Sequence, residues 1–160
     1  MRDWIAGLSR RETLILGGSV VGVNLLGALP AVFFPTDTDW FVQPWFYPPE
    51  IVFPVVWTLL FSLLGIAFFL VWQTNPGRKR RLAVTAFAVQ FALNLAWTPA
   101  FFGLQRPGLG LVIIGALWVA IVGTIVAFRR VSRPAAALLV PYLAWVSFAV
   151  ALNYAIYVGG

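Results

Sequence analysis

Five apolar runs, each long enough to cross a bilayer, limit what this chain can fold into. They run from Thr13 to Phe34, Glu50 to Trp72, Leu82 to Phe102, Leu109 to Phe128 and Pro134 to Val158. A bilayer's hydrocarbon core takes about 20 helical residues to span. Lipid supplies no hydrogen-bonding partner, so a spanning backbone must satisfy its own amides, and runs of this length do so as α-helices. The expected fold is therefore an all-α membrane protein. It is a five-transmembrane-helix bundle forming a single domain over residues 1–160, with little chain left for a soluble domain. Pro30 near the end of the first run predicts a kink or an early stop there.

Charge placement orients the bundle. The hydrophobic fraction is 61% and the charged fraction 10%, so the few charges carry most of the topological information. A pI near 10.8 would suggest nucleic acid in a soluble chain. Here the basic residues sit in short clusters between apolar runs, which argues for membrane topology and against a nucleic-acid partner. If the spans alternate, Arg2, Arg10, Arg11, the cluster from Arg78 to Arg81, and Arg129, Arg130 and Arg133 share one side. Arg106 lies on the other with Asp37, Asp39 and Glu50. The positive-inside rule then places the N-terminus in the cytoplasm and the C-terminus outside it. No internal period is evident, so an inverted-repeat transporter is not supported.

The segment from Pro44 to Phe61 is the most distinctive. Four prolines punctuate it, and Pro48-Pro49 disfavours a helix before it while favouring one just after. Glu50 is expected in the first helical turn, where a carboxylate meets the positive end of the helix dipole. The aromatic, proline-rich loop from Pro35 to Pro49 thereby reads as a cap on the outer side of the bundle. An interfacial aromatic belt is the plainer alternative.

Polar residues inside spans need a partner or a cavity, which makes them informative. In the third span Gln90, Asn94, Trp97 and Phe101 recur on one helix face; in the fifth Tyr142, Trp145, Ala149 and Asn153 do so; in the second Trp57 and Phe61 share a face with Leu64. At ~1.5 Å per residue, Trp57 is about 12 Å below the outer end of its span. By the same rise Asn94 and Trp97 are roughly 9–13 Å, and Ala149 and Trp145 roughly 14–20 Å, below theirs. The three faces converge beneath the loop, either as an aromatic pocket with a few polar groups or as amides bonding across packed helices. On the third span Ala88, Ala92, Ala96 and Ala100 form a small-residue stripe about 200° away from Gln90. That stripe is expected to join two copies in a homodimer. Gly18 and Gly22 read as a weaker packing signal inside the chain.

The chemistry available is narrow. There is no histidine and no cysteine, which removes the commonest general base, metal ligand and thiolate nucleophile. No Asp or Glu falls deep in any span, so ion-coupled transport is not indicated.

At these residues the chain resembles the TspO/translocator-protein family, also called tryptophan-rich sensory proteins or peripheral-type benzodiazepine receptors. The matching pieces begin with Pro44-x-x-x-Pro48-Pro49, Phe53-Pro54-Val55-Val56-Trp57-Thr58, Gly65-Ile66-Ala67 and Val71-Trp72. Gln90-x-x-x-Asn94-x-x-Trp97, Phe101-Phe102 and Leu117-Trp118 follow. Last comes Pro141-Tyr142-Leu143-x-Trp145-Val146-Ser147-Phe148-Ala149-x-x-x-Asn153. They run in order over nearly the whole chain. The resemblance implies a five-helix membrane protein, commonly dimeric, that binds protoporphyrin IX, haem and synthetic isoquinoline or benzodiazepine ligands between its helices. The positions matching the family's pocket are Trp57, Phe61, Asn94, Trp97, Trp145 and Ala149, with Tyr142 alongside. Trp40-Phe41 stands four residues before Pro44, where the family usually has Trp-Tyr or Trp-Phe seven before, and Trp40 is expected to serve as the lid indole. The family's C-terminal sterol motif needs a basic residue after the tyrosine, and none follows Tyr154, so sterol recognition is not expected.

The function implied is a membrane receptor or sensor for tetrapyrroles, with porphyrin or haem as ligand and no obligatory cofactor. The alternatives are light-dependent porphyrin degradation through the pocket tryptophans, or transport of porphyrin or a similar small molecule.

Overall fold

The computed structural model describes residues 7–160, leaving Arg2 outside the described residues. Helix α1 spans Arg10–Phe33, α2 Val52–Trp72 and α3 Arg78–Thr98. A π-helical turn, Pro99–Gly103, extends α3; α4 spans Pro107–Arg129, and the last span is divided into α5, Arg133–Leu138, and α6, Val140–Gly159. No strand occurs among the described residues. Counting the π turn with α3, and α5 with α6, gives five helices long and apolar enough to cross a membrane.

The helices alternate in direction. Val20 of α1 lies against Gly65 of α2, and Gly27 faces Phe61. Phe61 and Phe68 of α2 meet Phe91 and Phe87 of α3. Thr124 of α4 donates to the Ala86 carbonyl of α3, and Trp118 of α4 donates to Ser147 of α6. Each pair is antiparallel, so the basic clusters gather at one end of the bundle and the loop Pro35–Pro49 lies at the other.

Local chemistry sets the helix ends. Ser9 caps α1 reciprocally: its Oγ accepts from the Glu12 amide at 3.2 Å, while the Glu12 carboxylate accepts from the Ser9 amide at 2.8 Å. Arg78 to Arg81 form the first turn of α3 rather than a preceding linker. Pro30 does not stop α1, which continues to Phe33. The proline sits one turn from the end, where its carbonyl still accepts from the Phe34 amide. Glu50 lies before α2 rather than in its first turn, because a tight turn intervenes in which the Val52 amide donates to the Pro49 carbonyl.

Two prolines break the later spans. Pro99 lacks an amide hydrogen, and the chain widens to a π turn in which the Leu104 amide reaches the Pro99 carbonyl at 2.8 Å. Pro141 likewise cannot donate to Ala137, so the fifth span breaks at Leu139, whose amide donates to the Ala136 carbonyl.

The π turn corrects the small-residue stripe. Ala88, Ala92 and Ala96 are exposed, but Ala100, inside the π turn, is buried. Gly18 and Gly22 are corrected too, since a side chain at either would touch nothing within 4 Å. The close approach of α1 to α2 is at Gly65, where a Cβ would sit 2.6 Å from the Val20 Cα. Gly65→Ala should therefore force α1 off α2 and destabilise the protein by about 1–3 kcal/mol. Gly22→Ala, in open space on a helix, should be neutral or stabilising by up to ~1 kcal/mol. Thermal melts of both variants in detergent test the contrast.

Candidate functional site

The centre of the bundle is a chain of polar groups among aromatic rings. Tyr142 of α6 is fully buried. Its hydroxyl accepts from Asn94 Nδ2 at 2.8 Å and donates to Gln90 Oε1 at 2.9 Å. One phenol thus joins two successive turns of α3. A second bridge lies above it: Trp97 Nε1 donates to Asn153 Oδ1 at 3.0 Å, and Asn153 Nδ2 donates to the Pro107 carbonyl at 2.8 Å. Asn153 thereby ties α3, α4 and α6 together.

Rings from α2 close the other side. Trp57 stacks on Phe61 with centroids 5.2 Å apart and meets Tyr142 edge-on at 6.3 Å. Phe61 in turn meets Phe91 edge-on at 6.2 Å. Phe53, one turn before Trp57, meets Trp145 edge-on at 6.0 Å. Helices α2 and α6 hardly touch through their backbones, and these side chains occupy the space between them. Trp57, Trp97, Trp145 and Ala149 are half-buried and pack on the core around Tyr142 and Val146.

The loop seats on this assembly as a cap. Trp40 lies 5.3 Å from Phe101 and edge-on to Phe41 at 4.8 Å. Phe101 is buried in the π turn and stacks on Trp97 at 4.8 Å. Phe46 meets Phe148 at 6.2 Å, and Tyr47 meets Phe53 at 5.5 Å. Trp97 belongs to both the cap and the core, and Trp145 joins them as well through Phe53 and Phe148. Burial, and then the nearby Glu50 carboxylate, push the Tyr47 phenol above its ordinary range, which keeps it neutral in its seat.

The eight residues singled out from the sequence fall into two layers. Trp57, Phe61, Asn94, Trp97, Tyr142, Trp145 and Ala149 line the junction of α2, α3 and α6. Trp40 sits in the cap, against Phe101 rather than against the inner indoles. Sequence reasoning placed Gln90 on the right face but left it out of the site, although it holds Tyr142. It also passed over Phe53 and Phe148. Phe53 shares the face of Trp57 and Phe61 at four-residue spacing, a signal available beforehand.

A family model described as TspO/MBR family matches residues 19–158. The chain belongs to the TspO/MBR family. It is 46% identical over 136 residues to "Tryptophan-rich protein TspO" of Chlorobaculum tepidum, covering 82% of this chain and 86% of that protein. It is 40% identical to "Tryptophan-rich protein TspO" of Archaeoglobus fulgidus, over 90% of this chain and 95% of that one. "Translocator protein" of Homo sapiens is 39% identical over 72% of this chain and 69% of its own length. With five apolar helices, this TspO/MBR member is an integral, multi-pass membrane protein.

Removing the Tyr142 hydroxyl leaves a buried donor on Asn94 and a buried acceptor on Gln90 without their partner. Tyr142→Phe should lower stability by about 1–3 kcal/mol. Trp118→Phe removes a bond of equal length to Ser147, but Ser147 keeps the Leu143 carbonyl. That variant should lose less than about 1 kcal/mol in the same denaturation series.

Proposed function

We propose that this protein is a membrane receptor or sensor that binds tetrapyrroles, protoporphyrin IX and haem among them, and similar flat apolar ligands between α2, α3 and α6. The observation that carries this reading is the gap between α2 and α6. Rings rather than packed backbones fill it, with Trp57 and Phe53 on one wall and Trp145 and Tyr142 on the other. A flat π-system can replace ring-to-ring contacts with its own at little loss, stacking on or meeting the indoles edge-on. Asn94 supplies an amide at the same level. The cap from Pro35 to Pro49 then covers the ligand and excludes water.

Iron is not the recognised feature in this reading. The sequence has no histidine or cysteine, and its single methionine is Met1. Haem would be held by its macrocycle, without the usual axial ligands. Fluorescence titration should therefore give protoporphyrin and haem affinities within a few-fold of each other. Trp145→Ala should weaken both by about fivefold or more. A histidine-type haem spectrum without porphyrin binding would overturn the proposal. Trp57 and Trp145 flank the same space, which keeps light-dependent porphyrin degradation as a second reading. Illuminating the complex with and without Trp57→Phe and Trp145→Phe separates the two, since a binding protein bleaches porphyrin no faster than albumin does.

Two assignments accompany this function. The basic clusters at one end favour a cytoplasmic N-terminus by the positive-inside rule. The exposed Ala88, Ala92 and Ala96 give α3 a face on which a second copy can approach closely. Ala92→Leu should convert a dimer into a monomer by light scattering in detergent, while leaving porphyrin affinity unchanged.

A further inference from the structure

The bundle carries a second concavity, remote from the cap. It is a lateral groove of about 430 Å³ between α1, α2 and α3, open to the bilayer. Its two walls differ. Phe68, Phe87 and Phe91 form one, with Phe68 and Phe87 centroids 5.1 Å apart and Phe87 stacked on Phe91 at 5.9 Å. Helix α1 forms the other, with Ile15, Ser19, Val23 and Leu26 around Gly18 and Gly22, where a side chain would meet nothing within 4 Å. The result is a slot, aromatic on one side and recessed at two glycines on the other, in the half of the bundle nearer its basic end.

The charges at that end indicate what fills the slot. Arg11 precedes Ile15, Gly18, Gly22 and Leu26 at helical spacing on the same face of α1, so it stands one turn, about 5–6 Å, beyond the groove. The aromatic wall continues from Phe68 to Trp72, stacked at 5.9 Å, and Arg80 lies over Trp72 at 4.6 Å. Arg80 is already engaged, donating to the Trp72 and Thr74 carbonyls, whereas Arg10 and Arg11 are exposed. Among the described residues the one carboxylate at this end is Glu12, and it is turned onto the Ser9 amide. An acyl chain lying in the slot would bring its headgroup to a mouth where Arg10 and Arg11 outnumber the one described carboxylate, Glu12.

We propose that this groove is a binding site for one anionic phospholipid, drawn from the leaflet on the basic side of the bilayer. Its acyl chain runs between the α1 and phenylalanine walls, and its phosphate meets Arg11 and Arg10. The chain meets mostly apolar surface, with Ser19 the one polar side chain lining the slot, which fixes no headgroup preference. The arginines supply the preference for negative charge, since each is worth several-fold in affinity at an anionic surface.

Native mass spectrometry of the purified full chain, with dioleoyl-phosphatidylglycerol or dioleoyl-phosphatidylcholine added to the detergent, tests this. One phosphatidylglycerol should remain bound at activation energies that strip phosphatidylcholine. Arg11→Gln should reduce that preference about fivefold. Gly22→Leu fills the slot without meeting any neighbour near its Cβ and should abolish retention of either lipid, and Gly18→Leu should do the same. An unchanged melting temperature and porphyrin titration establish that these variants fold. Equal retention of the two lipids by wild type would overturn the proposal, as would undiminished retention in both leucine variants. So would a shift from dimer to monomer in the leucine variants, which would make the groove a subunit interface.

Discussion

The hydroxyl of Tyr142 does more for this fold than any single apolar contact. In a bilayer the hydrophobic effect hardly distinguishes helix from lipid, so packing and interhelical hydrogen bonds must hold the helices together. Tyr142 accepts from Asn94 and donates to Gln90, joining α6 to α3 without close backbone packing between them. The bonds are long-armed, a phenol and two amides rather than touching backbones. That reach keeps α2, α3 and α6 apart enough for aromatic side chains to stand between them. The same interaction that stabilises the bundle therefore also sets the width of its centre.

Proline does the complementary work at the periphery. Pro99 forces the π turn that buries Phe101 beneath Trp40 and against Trp97. Pro141 breaks the last span, so that α5 packs on α2 and α4 while α6 is aimed separately with Tyr142 and Trp145 in its first two turns. In each case a missing amide hydrogen lets a spanning helix change direction where water cannot satisfy freed carbonyls. Beside each proline a backbone amide makes a local bond, Leu104 to the Pro99 carbonyl and Leu139 to the Ala136 carbonyl. Cap and core meet in part through Trp97, whose ring stacks outward on Phe101 and whose Nε1 points inward to Asn153.

Much of this was legible beforehand because membrane sequences are written in long periods. The helical spacing of Asn94 and Trp97, and of Tyr142, Trp145 and Ala149, predicted shared faces, and the ~1.5 Å rise put them at one depth. What escaped were the consequences of local backbone departures. Ala100 obeys the four-residue spacing of Ala88, Ala92 and Ala96, yet it lies in the π turn and is buried. Glu50 follows Pro49 but is displaced from α2 by a turn that propensity alone does not specify. Gly18 and Gly22 have the spacing of a helix contact, while the contact forms at Gly65, where no partner glycine marks it. Such outcomes depend on which helix arrives opposite, and a one-dimensional pattern does not encode that.

Helix α1 stands apart in this scheme. Val23 is its one buried residue, and it leans on the bundle mainly through α2 at Gly65 and Gly27. It contributes no group to the polar chain that joins α3, α4 and α6, and its own cross-helix bond is a single one, from Asn24 Nδ2 to Ser62 Oγ at 3.1 Å. Heat or a harsh detergent should therefore act on this helix first, leaving a four-span remnant in which the tyrosine and both asparagines are still joined.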